Sequence, residues 1–254
     1  MIRLGVLLAS VLMAGSAVAA ETGPVTEGFA CSLRSGKTLD DFDKATAYWS
    51  TEMDKIPGGS DAFVTVLKPL RGGGPADVYW LGTYPNLNVW AKDEAAYEAS
   101  AEGRAAEANF DKVITCQSGL WFAQPVYEGL PAAKPGQASV VEEYRCNLND
   151  GKTMTNVEHV HSLWKDYIDQ AKATDPTLAR FSAYVLAPWF ADSPYDLTYL
   201  VVTDNLADFA KVNTAAMTQT PWRPVQAAFD DTMTCDASLL SGKVVRVPAV
   251  NAAQ

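Results

Sequence analysis

Histidine and cysteine are scarce in this 254-residue chain, with two of the first and four of the second. No Cys-x-x-Cys and no Cys/His cluster at ligand spacing occurs, which argues against a structural zinc site. No Gly-x-Ser-x-Gly is present and no Ser/His/Asp set is legible, so serine-hydrolase chemistry has no support. Positive charge is also short. Twenty Lys and Arg face thirty Asp and Glu, a net charge of −10. A chain so acidic is a poor partner for nucleic acid or an anionic membrane. The apolar run from Leu4 to Met13 is too short to span a bilayer.

What the chain does hold is one stretch written twice. Cys31-Ser-Leu33-Arg-Ser-Gly36-Lys37-Thr38 returns as Cys146-Asn-Leu148-Asn-Asp-Gly151-Lys152-Thr153, an offset of 115 that Trp49 and Trp164 share. Further on, Asp77, Asn86, Arg104, Phe110 and Cys116 return as Asp196, Asn205, Arg223, Phe229 and Cys235, at an offset of 119. The pattern reads as a tandem duplication with one four-residue insertion between its blocks, and a repeat of this length governs the whole fold prediction.

The first residues, Met1-Ile-Arg3, then the apolar run, then Ala17-Val-Ala19-Ala20, form a secretory signal peptide over residues 1–20. Its removal leaves 234 residues and moves the net charge to −11. The predicted protein is periplasmic or extracellular, without membrane insertion. Its predicted units are a first repeat at 21–128, a linker at 129–138 rich in Pro, Gly and Ala, and a second repeat at 139–254. Four cysteines in an exported chain predict disulfides, with three pairings available. Each repeat has one cysteine near its start and one near its end, which favours Cys31–Cys116 and Cys146–Cys235.

Each repeat predicts the order βαββαβ. In the first, strands fall at about 28–33, 62–67, 78–83 and 115–126. One helix carries the apolar stripe Leu39, Phe42, Ala45, Trp49, Met53 and Ile56. A second helical region runs from Asn86 to about Val113 and is predicted to break at Gly103, opposite Pro221-Trp-Arg-Pro224 of the second repeat. Right-handed crossovers then give an antiparallel sheet of order 4-1-3-2 with both helices on one face. In that sheet the end of strand one meets the start of strand four, where the cysteines lie. Phe29, Cys31 and Leu33 share one strand face, and so do Cys116, Leu120 and Phe122.

Two such ferredoxin-like units in one chain resemble the dimeric α+β barrel superfamily in a fused form, their sheets packed face to face as a pseudo-dimeric α+β barrel. The resemblance covers about 27–240 and rests on element order and duplication. It brings two chemistries into view, cofactor-free monooxygenation and haem-dependent oxidation. Haem members use a histidine ligand, and only His159 and His161 exist here, both on the first helix of the second repeat. His161 borders the apolar stripe near Trp164 and His159 lies opposite. The prediction is therefore of no cofactor and no metal.

Other motifs have bland readings. Gly36-Lys37-Thr38 and its copy lack the earlier glycine of a phosphate loop, its place being taken by Cys31 and Cys146; they predict a turn and a helix cap. Glu142 and Glu143 point to opposite strand faces and make no acid/base pair. Trp49 and Trp164 predict core packing. Arg104 and Arg223 predict a salt bridge or carbonyl cap at the helix break rather than an anion site.

If the cysteine face meets the helices, the opposite face lines the space between the sheets. The predicted lining is Trp80, Trp121, Glu143, Arg145, Tyr184 and Tyr199, with Asn147 beside them. An aromatic lining with one cation and one carboxylate predicts a site for a small aromatic or anionic molecule. A filled core holding an internal Glu143–Arg145 pair is the competing expectation. The predicted function is ligand binding without chemistry. The alternatives are an oxidoreductase of the monooxygenase or haem type, and a structural or interaction module without a ligand. The sequence sets no protein partner and no oligomeric state.

Overall fold

A computed structural model describes residues 23–57, 61–72, 74 and 76–248. The predicted leader lies outside the described residues. Elements follow in the order β1 (Val25–Leu33), α1 (Leu39–Met53), β2 (Phe63–Arg71), β3 (Val78–Tyr84), α2 (Leu87–Ala99), α3 (Ala101–Phe110) and β4 (Ile114–Glu128). A strand-free link at 129–137 leads to β5 (Ala138–Leu148), α4 (Met154–Thr174), β6 (Ser182–Phe190), β7 (Leu197–Thr203), α5 (Leu206–Thr218), α6 (Arg223–Thr232) and β8 (Met233–Arg246).

All eight strands form one closed antiparallel barrel of order β1-β3-β2-β8-β5-β7-β6-β4. Each half thus shows the predicted 4-1-3-2 order. The halves meet edge to edge as well as face to face, because β2 pairs with β8 and β4 with β6. Closure leaves neither sheet an unpaired edge. It also requires long fourth strands: β4 runs 15 residues and β8 runs 14, each spanning its own sheet and the next. Residues Ser241 to Arg246 are that extension of β8, pairing with β2.

Local chemistry sets the element ends. Gly36 and Gly151 sit in turns at φ of 76° and 74°, where a side chain would be strained. Thr38 then caps α1 reciprocally with Asp41, and Thr153 does the same with Asn156 at α4. Lys152, in the second of these turns, pairs with Asp231. The break in the second helical region falls at Ser100, not at Gly103. Ser100 Oγ donates to the Tyr97 carbonyl and accepts from the Gly103 N–H, ending α2 and starting α3 at one residue. Gly103 lies inside α3 for a different reason. A Cβ there would stand 2.1 Å from the Tyr97 carbonyl oxygen.

Cys31 pairs directly with Cys116 across β1 and β4, and Cys146 with Cys235 across β5 and β8, each with Cα atoms 4.0 Å apart. Both bridges face the helices. Cys31 packs with Phe42, Val66 and Val78, and Cys146 with Val157, Ile168 and Leu197. Trp49 and Trp164 are buried, at 8% and 7% exposure, as core packing required.

Candidate functional site

Strand pairing decides which residues face the barrel lumen. On β1, Phe29 and Cys31 face the helices, so Gly28 and Ala30 face inward. Phe29 stands opposite Trp80 in the register, which places Trp80 on the helix side. It meets Trp49 of α1 edge to face at 4.7 Å and Phe110 of α3 at 5.5 Å. Tyr199 stands opposite Tyr144, two residues from Cys146, and is likewise on the helix side. Its hydroxyl lies 2.7 Å from His161 Nε2 on α4. The prediction that Trp80 and Tyr199 line the inter-sheet space is therefore corrected. Both faces of β3 are apolar, so its alternation was not legible without the register.

Trp121, Glu143, Arg145 and Tyr184 do point inward. They do not form one site. A Cβ on Gly28 would lie 2.8 Å from the Trp121 ring, so Trp121 fills the volume that glycine leaves in the first half. The middle of the lumen is occupied by Leu67, Val141 and Leu240, packed with Tyr79, Leu81 and Leu200. At the end formed by β5 and β8, Glu143 and Arg145 approach to 3.7 Å with side chains 10% and 13% exposed. Burial raises the Glu143 carboxyl above its usual range, and Arg145 pulls it back down. Arg145 also lies over the Tyr195 ring, and Tyr195 donates to Asp236. Asn147 accepts from the Asp196 N–H at the rim.

Two cavities open on the other side of the sheet, under the helices. The first, about 760 Å³, lies between the first-half strands and α1–α3. Trp49, Trp80, Phe29, Phe110 and Tyr97 form its apolar wall. Glu27 reaches in from β1 and accepts from Trp90 Nε1 at 3.2 Å. Burial, then repulsion from Glu94, push its carboxyl up to about 7; the Trp90 bond opposes this only in part. Asp93 on α2 is 4% exposed. One of its oxygens accepts from the Asp61 N–H at 2.6 Å, while Oδ1 has no hydrogen-bond partner among the described residues. Arg104, on the same cavity, donates to the carbonyls of Glu98 and Ala99, the cap expected of it.

The second cavity is smaller, about 320 Å³, and lies between the second-half strands and α4–α6. Its carboxylate is Glu142, offset by 115 from Glu27 and 8% exposed. Tyr144 donates to one Glu142 oxygen at 2.6 Å and Asn213 to the other at 2.9 Å. Burial raises its carboxyl, and these two bonds work against the rise. Trp222 covers this site, edge to face with Tyr167 at 5.1 Å. Next to it, burial lowers His161 to about 4, so the ring is neutral and bonded to Tyr199.

Sequence reasoning did not single out Glu27, and it noted Glu142 only as the neighbour of Glu143. A signal existed. Glu27 shares strand parity with Phe29 and Cys31, so a carboxylate was being placed on a helix-covered face in both halves.

No family model matches the chain, and no curated protein matches it. Solved structures do match over most of their length. Three putative enzymes are among them: a monooxygenase of Fusobacterium nucleatum subsp. nucleatum ATCC 25586, a monooxygenase of Lactobacillus acidophilus NCFM, and a chlorite dismutase. The first has a TM-score of 0.59 at 9% identity, covering 89% of this chain and 94% of its own. The second has 0.55 at 13%, covering 86% and 93%. The third has 0.54 at 12%, covering 89% and 96%. At such identities the likeness is one of fold: an α+β chain closed into an eight-stranded antiparallel barrel of the chlorite-dismutase-like type.

Haem is the group this fold brings to mind, and the donor set here does not fit it. Neither cavity is lined by histidine. His159 is exposed, and His161 lies with its Nε2 2.7 Å from the Tyr199 hydroxyl, outside the lining of either cavity. All four cysteines are in disulfides.

Proposed function

We propose that this chain is an exported protein, built of two ferredoxin-like repeats at 21–128 and 139–254, that binds a small aromatic molecule. The ligand enters the helix-side cavity of the first half, not the space between the sheets. The carrying observation is the juxtaposition of the Trp49–Trp80–Phe110 wall with a half-buried, protonatable Glu27 in a cavity of about 760 Å³. A concave, largely aromatic surface with a few converging polar groups is what a small flat ligand requires. In this reading Glu143 and Arg145 neutralise one another inside the lumen, and Trp121 and Tyr184 pack its walls. Two disulfides, and the absence of any described helix long and apolar enough to cross a membrane, support a folded body suited to an oxidising compartment.

The test is intrinsic tryptophan fluorescence during titration with small aromatic compounds, on the intact protein and on Trp80→Leu. Saturable quenching that the substitution weakens at least tenfold supports the reading. Quenching that Trp80→Leu leaves unchanged refutes it.

A second reading is cofactor-free oxidation of a phenol or quinol. It is favoured by Glu27, whose carboxylate near neutrality can take a quinol proton while dioxygen, the oxidant, accepts two electrons from the ring and leaves, with the two protons, as hydrogen peroxide, the quinone being the other product. Oxygen uptake with a hydroquinone that Glu27→Gln abolishes is the expected result. No uptake by the intact protein removes this reading and leaves the binding reading standing.

A further inference from the structure

We propose that the ligand of the first-half cavity is an organic cation: an ammonium group carried on an aromatic or bulky apolar body. The inference rests on the reading of that cavity as the binding site and adds the charge of its occupant.

Three observations carry it. First, six carboxylates and only two arginines line the cavity. Both arginines are engaged with main-chain oxygen, Arg104 at Glu98 and Ala99 and Arg34 at the Ile114 carbonyl, 3.1 Å away. Each arginine thus spends one guanidinium nitrogen on the main chain, and the carboxylates outnumber them three to one. Second, Asp93 carries Oδ1 with no hydrogen-bond partner among the described residues, although the residue is 96% removed from solvent by its 4% exposure. A buried carboxylate oxygen without a donor is costly, and it adds to the negative potential at this wall of the cavity, which Lys92 and Arg246 offset only in part. Third, the acids are spread, not convergent. Among the described residues no three His, Cys, Asp or Glu are grouped to hold a metal ion. The cation that such a cavity accommodates is one whose body occupies the Trp49–Trp80–Phe110 wall while its charge meets carboxylates around it. Aromatic faces add cation–π attraction to the carboxylate field.

The second half shows what the same frame looks like without this property. Position 94 of α2 corresponds by the 119 offset to Asn213, and Glu27 corresponds to Glu142. There Asn213 and Tyr144 donate to the carboxylate from within the chain. In the first half the corresponding places are Glu94 and Phe29, and they give Glu27 no donor. Trp90 is left as the one donor to Glu27 among the described residues, and an external cationic donor fits where the second internal one is missing.

The experiment is isothermal titration at pH 7 with three compounds of like shape: phenethylammonium, 2-phenylethanol and 3-phenylpropionate. The expected result is phenethylammonium binding at least tenfold tighter than the alcohol, with the carboxylate weakest. Glu94→Gln and Glu107→Gln, both at half-exposed or exposed sites on the helices, should each narrow that preference severalfold without loss of fold. Equal or tighter binding of the alcohol or the carboxylate overturns the cation inference while the cavity reading stands. Failure of all three to bind overturns both.

Discussion

The two halves of this barrel share a frame and differ in the groups that surround the helix-side glutamate. The shared part is strict. Strand order, the position of the cross-strand disulfide, the positive-φ glycine, the threonine cap and a glutamate on the helix face of the first strand all recur. What changes is the company those features keep. Glu27 has one donor and acidic neighbours in an open cavity. Glu142 has two donors in a cavity less than half as large. Trp80 becomes Tyr199, and the latter's hydroxyl is taken by His161. On the lumen side the polarity is reversed: Gly28 and Ala30 in the first half correspond to Glu143 and Arg145 in the second. The comparison teaches that one half has the wider cavity under its helices and an uncharged lumen face on its first strand, the other the narrower cavity and a charged lumen face.

The largest effect should come from the shared frame. Replacing either cysteine pair by alanine should cost about 2–5 kcal/mol in urea denaturation. The two losses should be similar, because the bridges close segments of nearly equal length, with separations of 85 and 89. A loss confined to one half would break the equivalence.

Next is the lumen. Arg145→Met should cost about 3 kcal/mol, because it removes the cation 3.7 Å from a buried Glu143. Adding Glu143→Leu should recover most of that loss, since the first half closes its own lumen with uncharged residues. Chemical denaturation of the single and double variants checks this, and an additive double loss would contradict it.

The two helix-side glutamates should then separate in their pH dependence. The folded Glu27 pKa, about 7, exceeds the ordinary 4.5, so the folded state holds a proton that the unfolded state has released. Stability is therefore fullest below about pH 4.5 in this group's contribution and falls as pH rises toward 7, by on the order of 2–3 kcal/mol. Glu27→Gln should stabilise the protein at pH 8 and flatten that slope. Glu142→Gln should instead cost about 1 kcal/mol at pH 8, through its bonds to Tyr144 and Asn213. Melting curves across pH 5–8 distinguish them.

The smallest effect is Tyr199→Phe, which loses the bond to His161 and should cost about 1 kcal/mol. Trp80 offers no such hydroxyl in the first half. An unchanged melting temperature for Tyr199→Phe would mean that the pair contributes only packing.

Much of the frame was legible because repetition constrains it. Cysteine spacing, strand parity at Phe29 and Cys31, and crossover handedness all agree on the observed strand order and pairing. The site was legible only in part. Trp121, Tyr184, Glu143 and Arg145 were read to the correct face of their strands, whereas Trp80 and Tyr199 were not. β3 reads Val78-Tyr79-Trp80-Leu81, apolar on both faces, so only its pairing with β1 fixes its sides. The cavity itself depends on how far α2 and α3 stand off the sheet. Ser100, Gly103 and the Trp49–Trp80 contact all lie at its boundary, and no single spacing in the sequence brings them together.

The most direct measurement is fluorine NMR of protein carrying 5-fluorotryptophan at its seven tryptophans, titrated with phenethylammonium. Saturable shifts at Trp49, Trp80 and Trp90, with Trp121, Trp164 and Trp222 unmoved, are what an open first-half cavity requires. Shifts led by Trp164 and Trp222, or by Trp121 in the lumen, would contradict it.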